Sequence, residues 1–241
     1  MSLEGKVVLV VGGGTGIGKA IALSLAADGA KVVVAGRRFE VLEQVAAESN
    51  AEIHCHSVDV ADRTSVKGLF DFVSKTLGQL DILVNAAGIN IKTRSMAEMT
   101  PEQWDQVMQI NATGGYNLLY QALPPMRERK DGLIINISSI SGKRAYALGG
   151  IAYSASKFAM TALGTAVGNE VAAEGVRITN IYPGEVETPI LDQRPSAPTA
   201  EHRARMLQPE DFSEVVLSIC HLPPRAHVAE LIIKPTQQEY T

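Results

Sequence analysis

The chain has little cysteine, few aromatic residues and no long apolar run, and each shortage removes a class of protein. Cys55 and Cys220 are the only cysteines among 241 residues. Neither a disulfide framework nor a paired Cys-x-x-Cys metal site can be built from them, and a reducing, cytoplasmic setting is expected. No stretch approaches the roughly 20 apolar residues needed to span a bilayer, and the opening Met1-Ser2-Leu3-Glu4-Gly5-Lys6 lacks the hydrophobic region of a signal peptide. No membrane partner is expected. Positive charge is not in excess either: 22 Lys and Arg against 26 Asp and Glu leave a net charge of −4. That balance argues against a protein whose main task is holding nucleic acid. His54-Cys55-His56 is the one metal-like cluster, but on a strand the two histidines share a face and Cys55 points the other way. No metal site is expected.

What is present is ordinary globular material, 46% hydrophobic and 20% charged, enough for the core of one α/β domain over residues 1–241. Short runs rich in β-branched residues alternate with longer amphipathic stretches, the pattern of strand and crossover helix around a parallel sheet covered on both faces. Strands are expected at Lys6–Val11, Lys31–Ala35, Glu52–Val58, Ile82–Asn85, Gly132–Ser138, Arg177–Ile181 and Ala229–Lys234. Helices are expected at Gly16–Ala27, Phe39–Glu48, Arg63–Leu77, Pro101–Leu123 and Ala152–Glu174, with Thr100 as N-cap before Pro101. The stretch Glu185–Gln208, which contains Pro189, Pro195 and Pro198, is too long for a routine connection and reads as a substrate loop or lid.

The first strand runs into Gly12-Gly13-Gly14-Thr15-Gly16-Ile17-Gly18, and a helix follows. Such a turn lets backbone approach a ligand, and the unsatisfied N–H groups and dipole of the helix N-terminus favour a pyrophosphate. Gly13 through Lys19 also has the spacing of a triphosphatase loop, but Ala20 stands where a magnesium-binding hydroxyl belongs. The dinucleotide reading is the better one. At the end of the second strand, where an acid would bond the ribose 2′-hydroxyl of NAD, the chain has Gly36-Arg37-Arg38. Two guanidinium groups suit a 2′-phosphate. NADP(H) is therefore favoured, with NAD(H) the alternative.

Tyr153-Ser154-Ala155-Ser156-Lys157 carries the chemistry. Residues i and i+4 lie on one helix face, so the Lys157 ammonium can reach the neighbourhood of the Tyr153 phenol. A unit positive charge at roughly 5 Å, with an effective dielectric of about 20, would favour phenolate by about 3 kcal/mol and bring an ordinary tyrosine pKa of about 10 nearer neutrality. The expected product is a general acid/base with its activator.

Together these residues resemble the short-chain dehydrogenase/reductase family from Gly12 to at least Thr188. The ordered match comprises Gly12-x-x-x-Gly16-Ile17-Gly18, Asn85-Ala86-Ala87-Gly88, Asn111, Ser139, Tyr153-x-x-x-Lys157 and Pro183-Gly184. The resemblance implies a Rossmann-like, doubly wound sheet of seven strands. It implies a catalytic tetrad of Asn111 holding a relay water, Ser139 orienting the substrate oxygen, Tyr153 as acid/base and Lys157 beside the nicotinamide ribose. Ser139 aligns better than Ser138 because Gly142 follows it by three positions. Cofactor contacts are implied for Gly12, Thr15, Gly16, Ile17, Gly18, Asn85, Ala86, Gly88, Pro183, Gly184, Val186 and Thr188, with Asp59 and Val60 at the adenine and Arg37 and Arg38 at the 2′-phosphate.

The activity implied is interconversion of a carbonyl and an alcohol, with a 3-oxoacyl or 3-hydroxy-acid-like compound as the candidate substrate, by a homotetramer or homodimer. Helices near Pro101–Leu123 and Ala152–Glu174 would make the contacts between subunits. An NAD-dependent alcohol dehydrogenase and a catalytically silent NADP sensor are the alternatives. The basic residues Lys92, Arg94, Lys143, Arg144 and Arg194 are expected around the mouth, where they would suit an anionic or carrier-linked substrate. Two departures stand out: Val11 occupies a position where the family often has threonine, and the C-terminal Leu231–Thr236 segment lacks the family's Val-Asp-Gly-Gly strand.

Overall fold

Val7–Val11 (β1) is buried at every position, with Val8 and Val10 in one apolar cluster and Val7, Leu9 and Val11 in another. A strand apolar on both sides needs cover on both faces, and the computed structural model, which describes residues 2–239, supplies it. Around β1 lie Lys31–Gly36 (β2), Ile53–Ser57 (β3), Ile82–Asn85 (β4), Gly132–Ile137 (β5), Val176–Pro183 (β6) and Glu230–Ile233 (β7). All neighbouring pairs are parallel, in the order β3-β2-β1-β4-β5-β6-β7. The chain reverses direction of travel across the sheet between β1 and β4. A crevice opens at the carboxyl ends of the strands at such a switch point.

The helices are Gly16–Ala27 (α1), Phe39–Glu48 (α2), Arg63–Leu77 (α3), Pro101–Met108 (α4), Gly114–Arg129 (α5), Ile151–Val171 (α6), Ala200–Arg203 (α7) and Asp211–Cys220 (α8). Three match their sequence-based bounds, and some of the helices carry side-chain caps at their N-termini. Asp62, for example, accepts the Thr64 N–H ahead of α3 at 2.8 Å. Thr100 and Gln103 form the capping box of α4.

The expected helix Pro101–Leu123 is corrected in two ways. It is interrupted by a π-helical turn at Gln109–Thr113, and it continues past Pro124 and Pro125 to Arg129. Prolines there weaken the ladder, but Met126 is fully buried and Arg127 bonds Glu174 through Nε at 2.6 Å and Glu170 through Nη1 at 3.1 Å. Tertiary contacts hold the last turn. The α8 helix has no counterpart among the sequence expectations. Its Phe212, Val216 and Ile219 complete the apolar cluster that also takes Ile21 and Leu25 of α1.

The height of α6 above the sheet is set by a buried row of asparagines. Asn85, Asn136 and Asn180 lie in register across β4, β5 and β6, and Asn136 Nδ2 donates to Asn180 Oδ1 at 3.1 Å. A Cβ on Gly164 of α6 would stand 2.9 Å from Asn136 Nδ2. Glycine therefore lets the helix that carries Tyr153 and Lys157 settle against them. On the outer side, Tyr116 and Tyr120 of α5 and Phe158 of α6 are exposed.

Candidate active site

The cleft at the switch point brings together nearly all the sequence-predicted site residues. Gly12, Thr15, Gly16, Ile17, Gly18, Arg37, Arg38, Asp59, Val60, Ala86, Gly88, Ser139, Tyr153, Lys157, Pro183, Gly184, Val186 and Thr188 line it. Asn85 and Asn111 do not, and both stand behind the wall. Asn85 ends β4, and its Oδ1 accepts the Ala87 N–H at 3.3 Å, which steadies the turn through Ala86 to Gly88. Asn111 sits in the π-helical turn, fully buried.

The glycine turn is built for close approach. Gly12 has φ +81°, and a Cβ there would stand 2.6 Å from the Ala86 carbonyl carbon. Gly16 has φ +54°, and its Cβ would press on Thr188 at 2.9 Å. Only glycine is comfortable at either place. After Val11 the turn is tied to β2 by backbone, the Gly12 N–H donating to Ala35 O at 2.8 Å. Thr15 precedes α1 without a side-chain capping bond, so the helix N-terminus keeps its donors for a ligand. Arg37 and Arg38 are exposed at the far end of the same cleft, and neither guanidinium has an ion-pair partner among the described residues. This donor set fits a dinucleotide.

Ser139, rather than Ser138, faces Tyr153. Ser138 Oγ turns toward α6, 3.4 Å from Lys157 O and from Thr161 Oγ1. A hydrogen bond from Ser139 favours the Tyr153 phenolate, but burial acts more strongly and pushes the phenol up to about 12, with Tyr146 raising it further and Arg94 lowering it. The expected lowering of Tyr153 by Lys157 is therefore corrected. Lys157 Nζ stands 5.7 Å from the centroid of the Tyr153 ring and donates to Ile137 O at 3.0 Å. One helical turn places the ammonium beneath the ring instead of beside the hydroxyl.

Lys157 is itself shifted, as burial lowers it to about 8. Its folded pKa lies below its unfolded value, so the folded protein binds fewer protons between about pH 8 and 10.5 and gains stability as pH rises through that window. Below it, holding the buried cation costs about 3 kcal/mol, from the span between 10.5 and 8 at about 1.4 kcal/mol per unit. Lys157→Met is expected to be more stable than the parent at pH 7 by an amount of that order. The gap should shrink as pH approaches 10, as urea unfolding at several pH values would show.

The Asn111 side chain is held by three hydrogen bonds. Its Nδ2 donates to Ile89 O at 2.9 Å and to Ser156 Oγ at 3.0 Å, while its Oδ1 accepts the Ile89 N–H at 2.8 Å. Both protons are committed, and the residue ties the segment after β4 to α6.

The Glu185–Gln208 segment is closed at its base by backbone bonds. Val186 bridges Leu207, the Glu187 N–H donates to Leu207 O at 2.8 Å, and the Leu207 N–H donates to Glu185 O at 3.0 Å. Glu185 pairs with Arg194 at 2.8 Å and with His202 at 2.7 Å. Of the five basic residues expected at the mouth, only Arg94 and Arg194 line the cleft. Lys143 pairs with Glu230 at 2.6 Å instead. The π-helical turn, Tyr146 and the role of Arg94 toward Tyr153 escaped sequence reasoning, because none carries a local motif. His54 and His56 are also apart from any metal cluster, none being present among the described residues. His56 packs on Phe72 with ring centroids 4.8 Å apart. No helix among the described residues is long and apolar enough to cross a membrane.

A parallel doubly wound sheet, a glycine turn at its switch point and a Ser139–Tyr153–Lys157 group beside it define an NAD(P)-dependent oxidoreductase. Residues 6–198 match the short chain dehydrogenase family, and the chain belongs to it. An uncharacterised oxidoreductase of Staphylococcus aureus strain USA300 is 36% identical over 234 residues, covering 97% of this chain and 98% of that protein. Among solved structures, the closed form of a serine dehydrogenase complexed with NADP+ superposes with a TM-score of 0.90 at 30% identity, covering 97% of this chain and 96% of that one. A 3-ketoacyl-(acyl-carrier-protein) reductase of Brucella melitensis complexed with NADH gives 0.88 at 27%, covering 98% and 99%.

Proposed function

We propose that the protein is an NADP(H)-dependent oxidoreductase that interconverts a small carbonyl compound and its alcohol, with Tyr153 giving and taking the proton. The observation that carries the proton role is the position of the Tyr153 phenol, which lines the cleft together with Ser139 and whose pKa is raised further by burial. A bound nicotinamide supplies and accepts the hydride. The residues of the chain supply the rest. As negative charge grows on the substrate oxygen, hydrogen bonds from Ser139 and Tyr153 strengthen, which is the condition for lowering the barrier. Lys157, buried beneath the ring, provides a fixed positive charge in a setting of low dielectric.

The NADP preference is supported by Arg37 and Arg38, by the absence of an acid at the end of β2, and by the NADP+ bound to the serine dehydrogenase neighbour. NADH in the ketoacyl reductase neighbour keeps the NAD-dependent reading as the one to test against. In a fluorescence titration the parent should bind NADPH more tightly than NADH. Replacing Arg37 and Arg38 together by alanine should weaken NADPH about 10- to 100-fold, the loss expected for charge-assisted bonds of roughly 1.5–3 kcal/mol. NADH affinity should change little. Equal losses for both cofactors would move the specificity elsewhere, and a parent that prefers NADH would overturn the arginine argument.

A further inference from the structure

Charge at the mouth of the cleft is unevenly compensated. Arg194 is neutralised by Glu185, which His202 also contacts. Arg94 also lines the cleft, half-buried, and has only neutral partners. Its Nε donates to Ile91 O at 3.0 Å, its Nη1 to Leu148 O, and its Nη2 to Gln193 O at 2.7 Å. No carboxylate pairs with it among the described residues. The two acids on the cleft wall are Asp59, toward the β3 end, and Glu185, already paired. A guanidinium has five N–H donors, so one remains on each terminal nitrogen of Arg94.

Burial and the like charge of Arg194 both act against the Arg94 cation, an arrangement that is costly until a negative charge arrives. Its side chain packs on Gly150, where a Cβ would stand 2.9 Å away, and the Arg94 carbonyl accepts the Ile151 N–H at the start of α6. The charge is thus held close to Tyr153, two residues further along α6.

We propose that Arg94 is the receptor for a carboxylate on the substrate, so that the compound handled here is a small oxo acid or hydroxy acid. The inference rests on the carbonyl–alcohol reading above and names its substrate class. Arg94 would then set specificity as well as fasten three segments around the mouth.

The test compares acetoacetate with its ethyl ester, each with NADPH, in the parent, Arg94→Gln and Arg94→Lys. The parent should favour the acid over the ester in kcat/KM by tenfold or more. That ratio should collapse about 10- to 100-fold in Arg94→Gln, as for a lost charged hydrogen bond, and return in large part in Arg94→Lys. An ester accepted as well as the acid by the parent overturns the proposal, with no variant needed. So does an equal loss on both compounds in Arg94→Gln, which would mark a purely structural clamp. Calorimetric titration of malonate into the protein mixed with NADPH needs no turnover. Malonate bound by the parent and at least tenfold more weakly by Arg94→Gln, with neither carbonyl reduced, would uphold the anion site and defeat the carbonyl reading. An ester reduced with no malonate bound would do the reverse.

Discussion

Replacing Tyr153 by phenylalanine will cut carbonyl turnover by about 10²–10⁴-fold, the range that a positioned proton donor contributes, while NADPH still binds. The phenol lines the cleft together with Ser139, with the Lys157 ammonium below its ring. Ser139 can donate a hydrogen bond, but its oxygen also accepts the Ser141 N–H at 3.1 Å, which ties it to the turn after β5. Removing the hydroxyl leaves the ring and therefore the packing of α6. Steady-state kinetics beside a fluorescence titration of NADPH will separate the two effects. Unchanged turnover in Tyr153→Phe would sink the mechanism, and lost cofactor binding would assign the residue a structural task instead.

Gly12→Val is expected to have the largest effect on the fold. A side chain there must adopt φ +81° with its Cβ 2.6 Å from the Ala86 carbonyl carbon. Positive φ at a β-branched residue costs about 1–3 kcal/mol, and forcing β1 and β4 apart adds a similar amount from overpacking. Together these reach about 2–6 kcal/mol, a large share of the stability of an ordinary domain. Either the protein does not accumulate folded, or it folds with the turn displaced and NADPH affinity lost. Thermal unfolding followed with and without NADPH distinguishes these outcomes. A variant with parental melting temperature and affinity would show that the turn relaxes freely.

The glycine turn and the Tyr153–Lys157 pair were legible because their requirements are local. A positive φ pressed against neighbouring backbone calls for glycine in any protein, and a four-residue spacing on a helix places two side chains on one face. The helices at Gly16–Ala27 and Arg63–Leu77 were legible for the same reason. Pro124 and Pro125 misled as to the end of α5, since the contacts that hold the final turn come from Glu170 and Glu174, more than forty residues away. The α8 helix went unread because its short apolar run, Val215-Val216-Leu217, has no meaning apart from the α1 face it covers.

The electrostatics divide along the same line. Residue types and their order along the chain determined the class of fold, the dinucleotide turn and the stacking of Tyr153 and Lys157 on one helix, since each depends on backbone conformation or on neighbours within one helical turn. Only the tertiary structure decided that burial outweighs Ser139 and Arg94 in setting the Tyr153 phenol, that Glu185 neutralises Arg194, and that Arg94 has only neutral hydrogen-bond partners at the cleft. Those outcomes depend on depth from solvent and on charges brought together from the segment after β4, from α6 and from the Glu185–Gln208 segment. Coulomb energy follows distance and dielectric, and neither quantity is written along a chain until it folds.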